Sequence, residues 1–156
     1  MEPKADHPDI PAVYGKPKTL LDWASVRELL EKAERYWLAT TRKDGRPHVI
    51  PIDGMWIDDV WYFGGDPKTV HQRTVKANPN IVVHLEDAMK AVIVEGTAEW
   101  ILPSDEDAKR LADANNAKYG YGMTPAQYSK GTWGLKPKRV IAWTEFLADA
   151  TRFRFD

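Results

Sequence analysis

The chain has 156 residues, enough for one domain with a sizeable core, and its 22 Lys and Arg nearly balance 23 Asp and Glu. That balance gives no global electrostatic case for nucleic acid or an anionic membrane as a partner. Cysteine is absent, which removes disulfides, thiolate nucleophiles and thiolate metal sites together, while seven tryptophans favour an extensive apolar contact, within the domain or between subunits.

Residues 1–19 carry Pro3, Pro8, Pro11 and Pro17 and read as an arm, with residues 20–156 as the domain proper. The first eight residues are polar and lack the apolar core of a signal peptide. No run approaches the ~20 apolar residues of a membrane span, so a cytoplasmic location is expected. The first helix is expected over about 23–34. Val26, Leu29, Leu30 and Ala33 fall on one helical face, and Asp22 or Ser25 can cap it.

Strands follow. Tyr36 to Thr41 is extended, Lys43-Asp44-Gly45 is a tight reversal, and a second extended run continues through Ile52 toward Met55-Trp56-Ile57. That second run is unusual, because Pro47 and Pro51 bracket His48-Val49-Ile50. A proline has no N–H for a ladder, so the run suits an edge, or a backbone that meets some other group. Asp58-Asp59 is a turn and Val60 to Phe63 a strand, ended by Gly64-Gly65-Asp66-Pro67. Lys68 to Ala77 reads as a helix, with Asp66 as a possible cap and Asn78-Pro79 as its stop.

Ile81 to Leu85 and Ala91 to Ile101 are further strands, and Gly96 inside the second suggests a bulge. A helix is expected from Ser104 to about Ala117, with Ser104 and Asp107 resembling a capping box. Tyr119-Gly120-Tyr121-Gly122 breaks it, Thr124-Pro125 starts a short helix, and Arg139 to Thr144 is the last strand. The expected fold is therefore mainly β: six antiparallel strands in a small barrel with flanking helices.

Four stretches in order, "LATTRKDGRPHVIPI", "WYFGGDPKTVHQRTVKANPNIVVHL", "VIVEGTAEWI" and "KPKRVIAWTEFLADATRFRF", resemble the pyridoxamine 5′-phosphate oxidase-like superfamily, the flavin-binding split barrels, including the flavin/deazaflavin oxidoreductases. The resemblance spans roughly residues 24–155. It implies a homodimer with flavin mononucleotide, or in some branches a deazaflavin coenzyme, in a groove between subunits. It places His48, Val49, Ile50, Pro51 and Ile52 beside the ring system, and Gly64, Gly65, Thr69, His71 and Arg73 near the phosphate. Trp143 and Arg154 match C-terminal positions near the groove.

His71 stands where the family often has lysine. A phosphate dianion beside it would favour the imidazolium, so phosphate binding through this residue would weaken as pH rises. Arg46 and Arg73 can supply charge that does not titrate. Each residue has a plainer reading: His48 an exposed strand histidine, His71 and Arg73 a solvated helix face, Trp143 core, Arg154 surface. His84 reads as a hydrogen-bonded barrel histidine, and the four histidines show no metal-ligand spacing.

A flavin enzyme needs no dedicated acid or base, and His48 is the nearest candidate for protonating a substrate. The tail Thr151-Arg152-Phe153-Arg154-Phe155 lacks the histidine by which the oxidase proper recognises its vitamer. The expected activity is reduction of a small planar acceptor. The alternatives are a non-catalytic flavin carrier or sensor and a cofactor-free interaction barrel.

Overall fold

The computed structural model describes residues 2–156. In chain order its elements are β1 (Lys4–Asp6), α1 (Trp23–Lys32), β2 (Tyr36–Thr41), β3 (Pro47–Ile52), β4 (Met55–Ile57), β5 (Val60–Phe63), α2 (Val70–Ala77), β6 (Asn80–His84), β7 (Val92–Ile101), α3 (Asp105–Tyr119), α4 (Pro125–Tyr128), β8 (Thr132–Ala142) and β9 (Thr151–Arg154).

The β2–β3 hairpin forms where the Asp-Gly signal places it. Arg42 N donates to Arg46 O and Gly45 N to Arg42 O, both at 2.9 Å, and Gly45 takes the positive φ of 83° that this turn demands. From β3 the antiparallel ladder runs through β2, β6, β7, β8 and β9 to β1. Strand β8 is forked. Trp133 to Leu135 pair with β5, whereas Arg139 to Ala142 pair with β9. With β4 added to β5, the fork splits the curled sheet and leaves one side open. The mainly antiparallel split barrel with flanking helices is thus present.

Among the described residues it has nine strands rather than six, the additions being β1, β4 and β9, the last formed by the tail Thr151–Arg154 pairing with Arg139 to Ala142 of β8. In the proline-rich arm, Lys4–Asp6 pairs with β9 because Asp6 meets Arg152 at 2.8 Å and Arg154 at 2.9 Å. The run 47–57 divides in two at Asp53-Gly54. Strand β8 extends back through Pro137, which lies opposite Gly96 where the β7–β8 register shifts. The expected bulge at Gly96 accommodates a residue that cannot donate to a ladder. A Cβ on Gly96 would stand 2.1 Å from the Lys136 carbonyl oxygen, so glycine is required there.

The helix signals are local and hold closely. Asp22 caps α1 by accepting from Ser25 N at 2.9 Å, and Ser104 caps α3 by accepting from Asp107 N at 3.1 Å. Helix α2 starts at Val70, later than expected. Asp66 accepts from Lys68 N and from the Thr69 hydroxyl, both at 2.8 Å, and these bonds hold 66–69 as a turn.

The interior is one apolar cluster that includes Tyr36, Leu38, Trp61, Val83, Val94, Leu135, Val140 and Phe153, all fully buried. Helix α1 seals one end with Trp23, Val26 and Leu30, and the Trp23 ring meets Phe153 and Phe155 at 5.3 and 5.0 Å. A smaller cluster of Met55, Ala108, Leu111, Ala112 and Tyr128 seats α3 and α4 beside β4. The open side between these clusters is where the site lies.

Candidate functional site

The split in the sheet opens into a cleft of about 1110 Å³. One wall is the turn from β5 into α2. Phe63, Gly64 and Gly65 lead into it, and His71, Gln72, Arg73 and Lys76 face it from α2. The wall is braced by a connected set of bonds. Trp133 Nε1 donates to Gln72 Oε1 at 2.8 Å, and Gln72 Nε2 donates to Gly64 O at 2.8 Å. His71 Nε2 lies 3.1 Å from the same carbonyl oxygen. The Thr74 hydroxyl donates to Thr40 Oγ1 at 2.9 Å and fixes α2 against β2. His71 is only 7% exposed, so the sequence alternative of a solvated helix face does not hold for it.

This wall suits an anion. The Thr69 hydroxyl is turned back to Asp66, so no side chain caps the first N–H groups of α2, and the helix dipole adds to their attraction. Arg73 and Lys76, three residues apart on one helix face, line the cleft, and among the described residues neither has a carboxylate partner.

A second wall is the end of β3, a free sheet edge, where Pro51 and Ile52 line the cleft. Arg42 and Arg46 form a bonded pair at the turn, so bonded and non-bonded pairs alternate from there along the hairpin. Pro47, Val49 and Pro51 fall at the non-bonded positions, and their polar groups turn away from β2. The prolines therefore cost the ladder nothing. They leave an edge with three carbonyls and one N–H, that of Val49. Such an edge discourages strand addition yet offers main-chain partners to a flat heterocycle.

The rest of the cleft is largely apolar. Met55, Tyr62, Met123 and Tyr128 line it, with Arg35 and Asp53 paired at 3.0 Å on its rim. The Tyr121 hydroxyl donates to Asp53 at 2.7 Å. Just behind, Lys118 Nζ donates to Gly54 O at 2.9 Å and to the Tyr36 hydroxyl at 3.0 Å. Burial pushes the Lys118 ammonium down to about 8, against the weaker opposing pull of Asp53 and Glu34. The unfolded chain therefore holds more protons than the folded one from about pH 8 to about 10, and stability rises with pH in that window. Denaturant midpoints are expected to increase from pH 7.5 to 9.5. In Lys118→Met this increase should vanish; an equal rise in the variant would assign it to another group.

Of the residues singled out from sequence, Pro51, Ile52, Gly64, Gly65, His71 and Arg73 come together in the cleft. Others do not line the cleft. Arg46 is exposed beside Asp44, and Thr69 serves the 66–69 turn. Trp143 packs on Phe146, and Arg154 pairs with Asp6 at the far edge of the sheet. Val49 and Ile50 belong to β3 without lining the cleft, Ile50 packing against the core. His48 is next to Arg42, with Nδ1 3.3 Å from the guanidinium. Burial first, then the charges of Arg42 and His71, hold its imidazole below the ordinary value, which favours the neutral ring. His84 bonds Leu85 O at 2.8 Å, as expected of a satisfied histidine, but it stacks on Trp37 and is only partly buried.

Sequence reasoning missed Lys76, Gln72, Trp133 and Asn115. The spacing of Lys76 from Arg73 was a legible signal. Gln72 and Trp133 become partners only because β8 pairs with Phe63, which no local pattern announces. Among the described residues no three His, Asp or Glu side chains gather as a metal centre would require, and no helix is long and apolar enough to cross a membrane.

Residues 23–144 match the family model for pyridoxamine 5′-phosphate oxidase. Similar solved structures include an F420 reductase, 27% identical, with 73% of this chain and 94% of that one covered and a TM-score of 0.57. A conserved hypothetical protein from Mycobacterium tuberculosis, Rv2991, is 19% identical over 81% of this chain and 86% of that one, with a TM-score of 0.67. HutZ, a heme storage protein from Vibrio cholerae, is 16% identical over 74% of this chain and 89% of that one, with a TM-score of 0.57. No curated protein matches the chain.

Proposed function

The chain belongs to the pyridoxamine 5′-phosphate oxidase family, and on that premise we propose that it is an oxidoreductase holding flavin mononucleotide in this cleft. The carrying observation is the pair of cations, Arg73 and Lys76, that have no carboxylate partner among the described residues, beside the uncapped start of α2. The residues present fit a phosphorylated heterocycle. Arg73, Lys76 and the first N–H groups of α2 would hold the phosphate, and the Pro51 carbonyl, on the end of the β3 edge that lines the cleft, would meet the polar edge of the ring system. Gly64 and Gly65 let the main chain approach closely.

Bound there, the cofactor supplies hydride transfer. The chain's own part is to bind it, fix its orientation and shield it from water with Met55, Tyr62, Met123 and Trp133. The acceptor is a small planar molecule on the apolar side of the cleft. A homodimer completes the proposal. Trp37 and Val49 are 37% and 49% exposed on the outer face of the β2–β3 hairpin, an apolar surface that a second copy would cover. Sedimentation should give a species of twice the 17.8 kDa chain mass at micromolar concentration. A single-chain species would refute the dimer.

A second reading, a deazaflavin coenzyme in the same cleft, is favoured by the likeness to the F420 reductase. The phosphate assignment is testable by substitution. Arg73→Ala is expected to weaken flavin mononucleotide by about 1.5–3 kcal/mol, the range for a hydrogen bond to a charged group. Riboflavin affinity should be unchanged, because riboflavin carries no phosphate for the guanidinium to meet. Fluorescence quenching reads both ligands. A loss shared equally by riboflavin would place Arg73 away from the phosphate.

A further inference from the structure

The α3–α4 end of the cleft holds a polar atom that no described residue satisfies. Asn115 lines the cleft, and its Oδ1 is buried without a hydrogen-bond partner. Its neighbour Asn116 shows the contrast. Asn116 accepts from Met123 N at 2.6 Å and donates to Met123 O at 2.9 Å, so both ends of that amide are used in pinning the 120–123 loop. Burial pushes the Tyr128 phenol up, and the Asn115 side chain beside it offsets part of that push. The Asn115 carbonyl oxygen itself has no partner among the described residues. A buried acceptor without a donor is costly, and native proteins rarely keep one without a reason.

The surroundings say what kind of donor is missing. Met55, Tyr62, Met123 and Tyr128 form apolar and aromatic walls. Of the charged residues that line the cleft on the rim of this end, Arg35 and Asp53 are paired with each other at 3.0 Å. The unpaired cations, Arg73 and Lys76, belong to α2. We propose that the α3–α4 end is a binding subsite for an uncharged planar molecule that presents an N–H or O–H to Asn115 Oδ1, with the Tyr128 hydroxyl as the adjoining polar contact. This names the class of acceptor for the oxidoreductase reading, on which its place beside a cofactor rests. A phosphorylated or carboxylated molecule is disfavoured, because no free cation meets it here and the Asn115 oxygen would face its negative charge.

The test uses the full chain and three probes of one shape. Benzamide has a planar apolar body and an N–H donor, benzoate has the charge and no donor, and toluene has neither. Amide chemical shifts of the labelled protein are followed in titrations, without cofactor and with flavin mononucleotide present. Benzamide is expected to shift resonances of α3, α4 and the 120–123 loop, and to bind about tenfold tighter than benzoate, the order of effect expected from one buried hydrogen bond. Asn115→Leu, similar in volume, should remove that preference and leave toluene at least as well bound. If Asn115→Leu fails to fold by circular dichroism, Asn115→Ala serves with the same expected loss. The proposal is overturned if benzoate binds as well as benzamide, if neither probe shifts these resonances, or if the Asn115 variant keeps the preference. Failure of the flavin reading is separate: flavin mononucleotide would then shift nothing around α2, whatever benzamide does.

Discussion

Replacing Gly65 by alanine is expected to cost about 2–4 kcal/mol of stability, from a strained backbone and overpacking together, and at least tenfold in flavin affinity. Gly65 has φ of 138°, where side chains are rarely tolerated, and a Cβ would stand 2.6 Å from His71 Nε2 and 2.9 Å from Cε1. The ring cannot simply swing aside. Its Nε2 lies against Gly64 O, which also accepts from Gln72, and Gln72 is in turn held by Trp133. Disturbing one member loosens the whole wall that faces the phosphate position. Gly64 is the internal control. It has nothing within 4 Å of its would-be Cβ and no positive φ, so Gly64→Ala should cost under about 1 kcal/mol. Denaturant unfolding and flavin titration of the two variants check this together. Equal effects would mean that the His71–Gly64 brace has no energetic role.

Trp61→Ala should be the most damaging single change, at about 3–5 kcal/mol, the range for emptying a large aromatic site. The Trp61 ring is fully buried, stacks on Phe63 at 4.6 Å and meets Tyr36 at 5.3 Å. It also presses on Gly54, where a Cβ would be 2.2 Å from its Nε1. The damage should be packing and not hydrogen bonding, because Nε1 is buried without a partner. Trp61→Phe is therefore expected to retain much more stability than Trp61→Ala. Comparable losses in the two would assign a hidden polar role to the indole nitrogen.

The parts of the fold that local chemistry dictates were legible in the chain. The Asp44-Gly45 reversal, the Asp22 and Ser104 caps and the Gly96 bulge each follow from residues adjacent in sequence. What pairing at a distance creates was not legible. Strand β1 exists because Asp6 meets Arg152 and Arg154 across the sheet, and β8 lengthens because its Pro137 finds the bulge. The site divides the same way. Gly64, Gly65, His71 and Arg73 are close in sequence and stay together in space. The bond from Trp133 to Gln72 and the unsatisfied oxygen of Asn115 arise only when β8 and α3 close over the cleft.

Of the other residues singled out near the cofactor, Arg46 lies beside Asp44, Trp143 packs on Phe146 and Arg154 pairs with Asp6, while Thr69 stands at the start of α2 with its hydroxyl turned to Asp66. The phosphate reading therefore narrows to Arg73, Lys76 and main-chain donors, with His71 as a brace. The most direct measurement is equilibrium titration of the purified protein with flavin mononucleotide and with riboflavin, followed by fluorescence quenching at constant ionic strength. Flavin mononucleotide should bind at least tenfold tighter than riboflavin, a difference carried by the phosphate alone and equal to about 1.4 kcal/mol. Equal affinities, or no binding of either ligand, would contradict a phosphorylated flavin held at the start of α2.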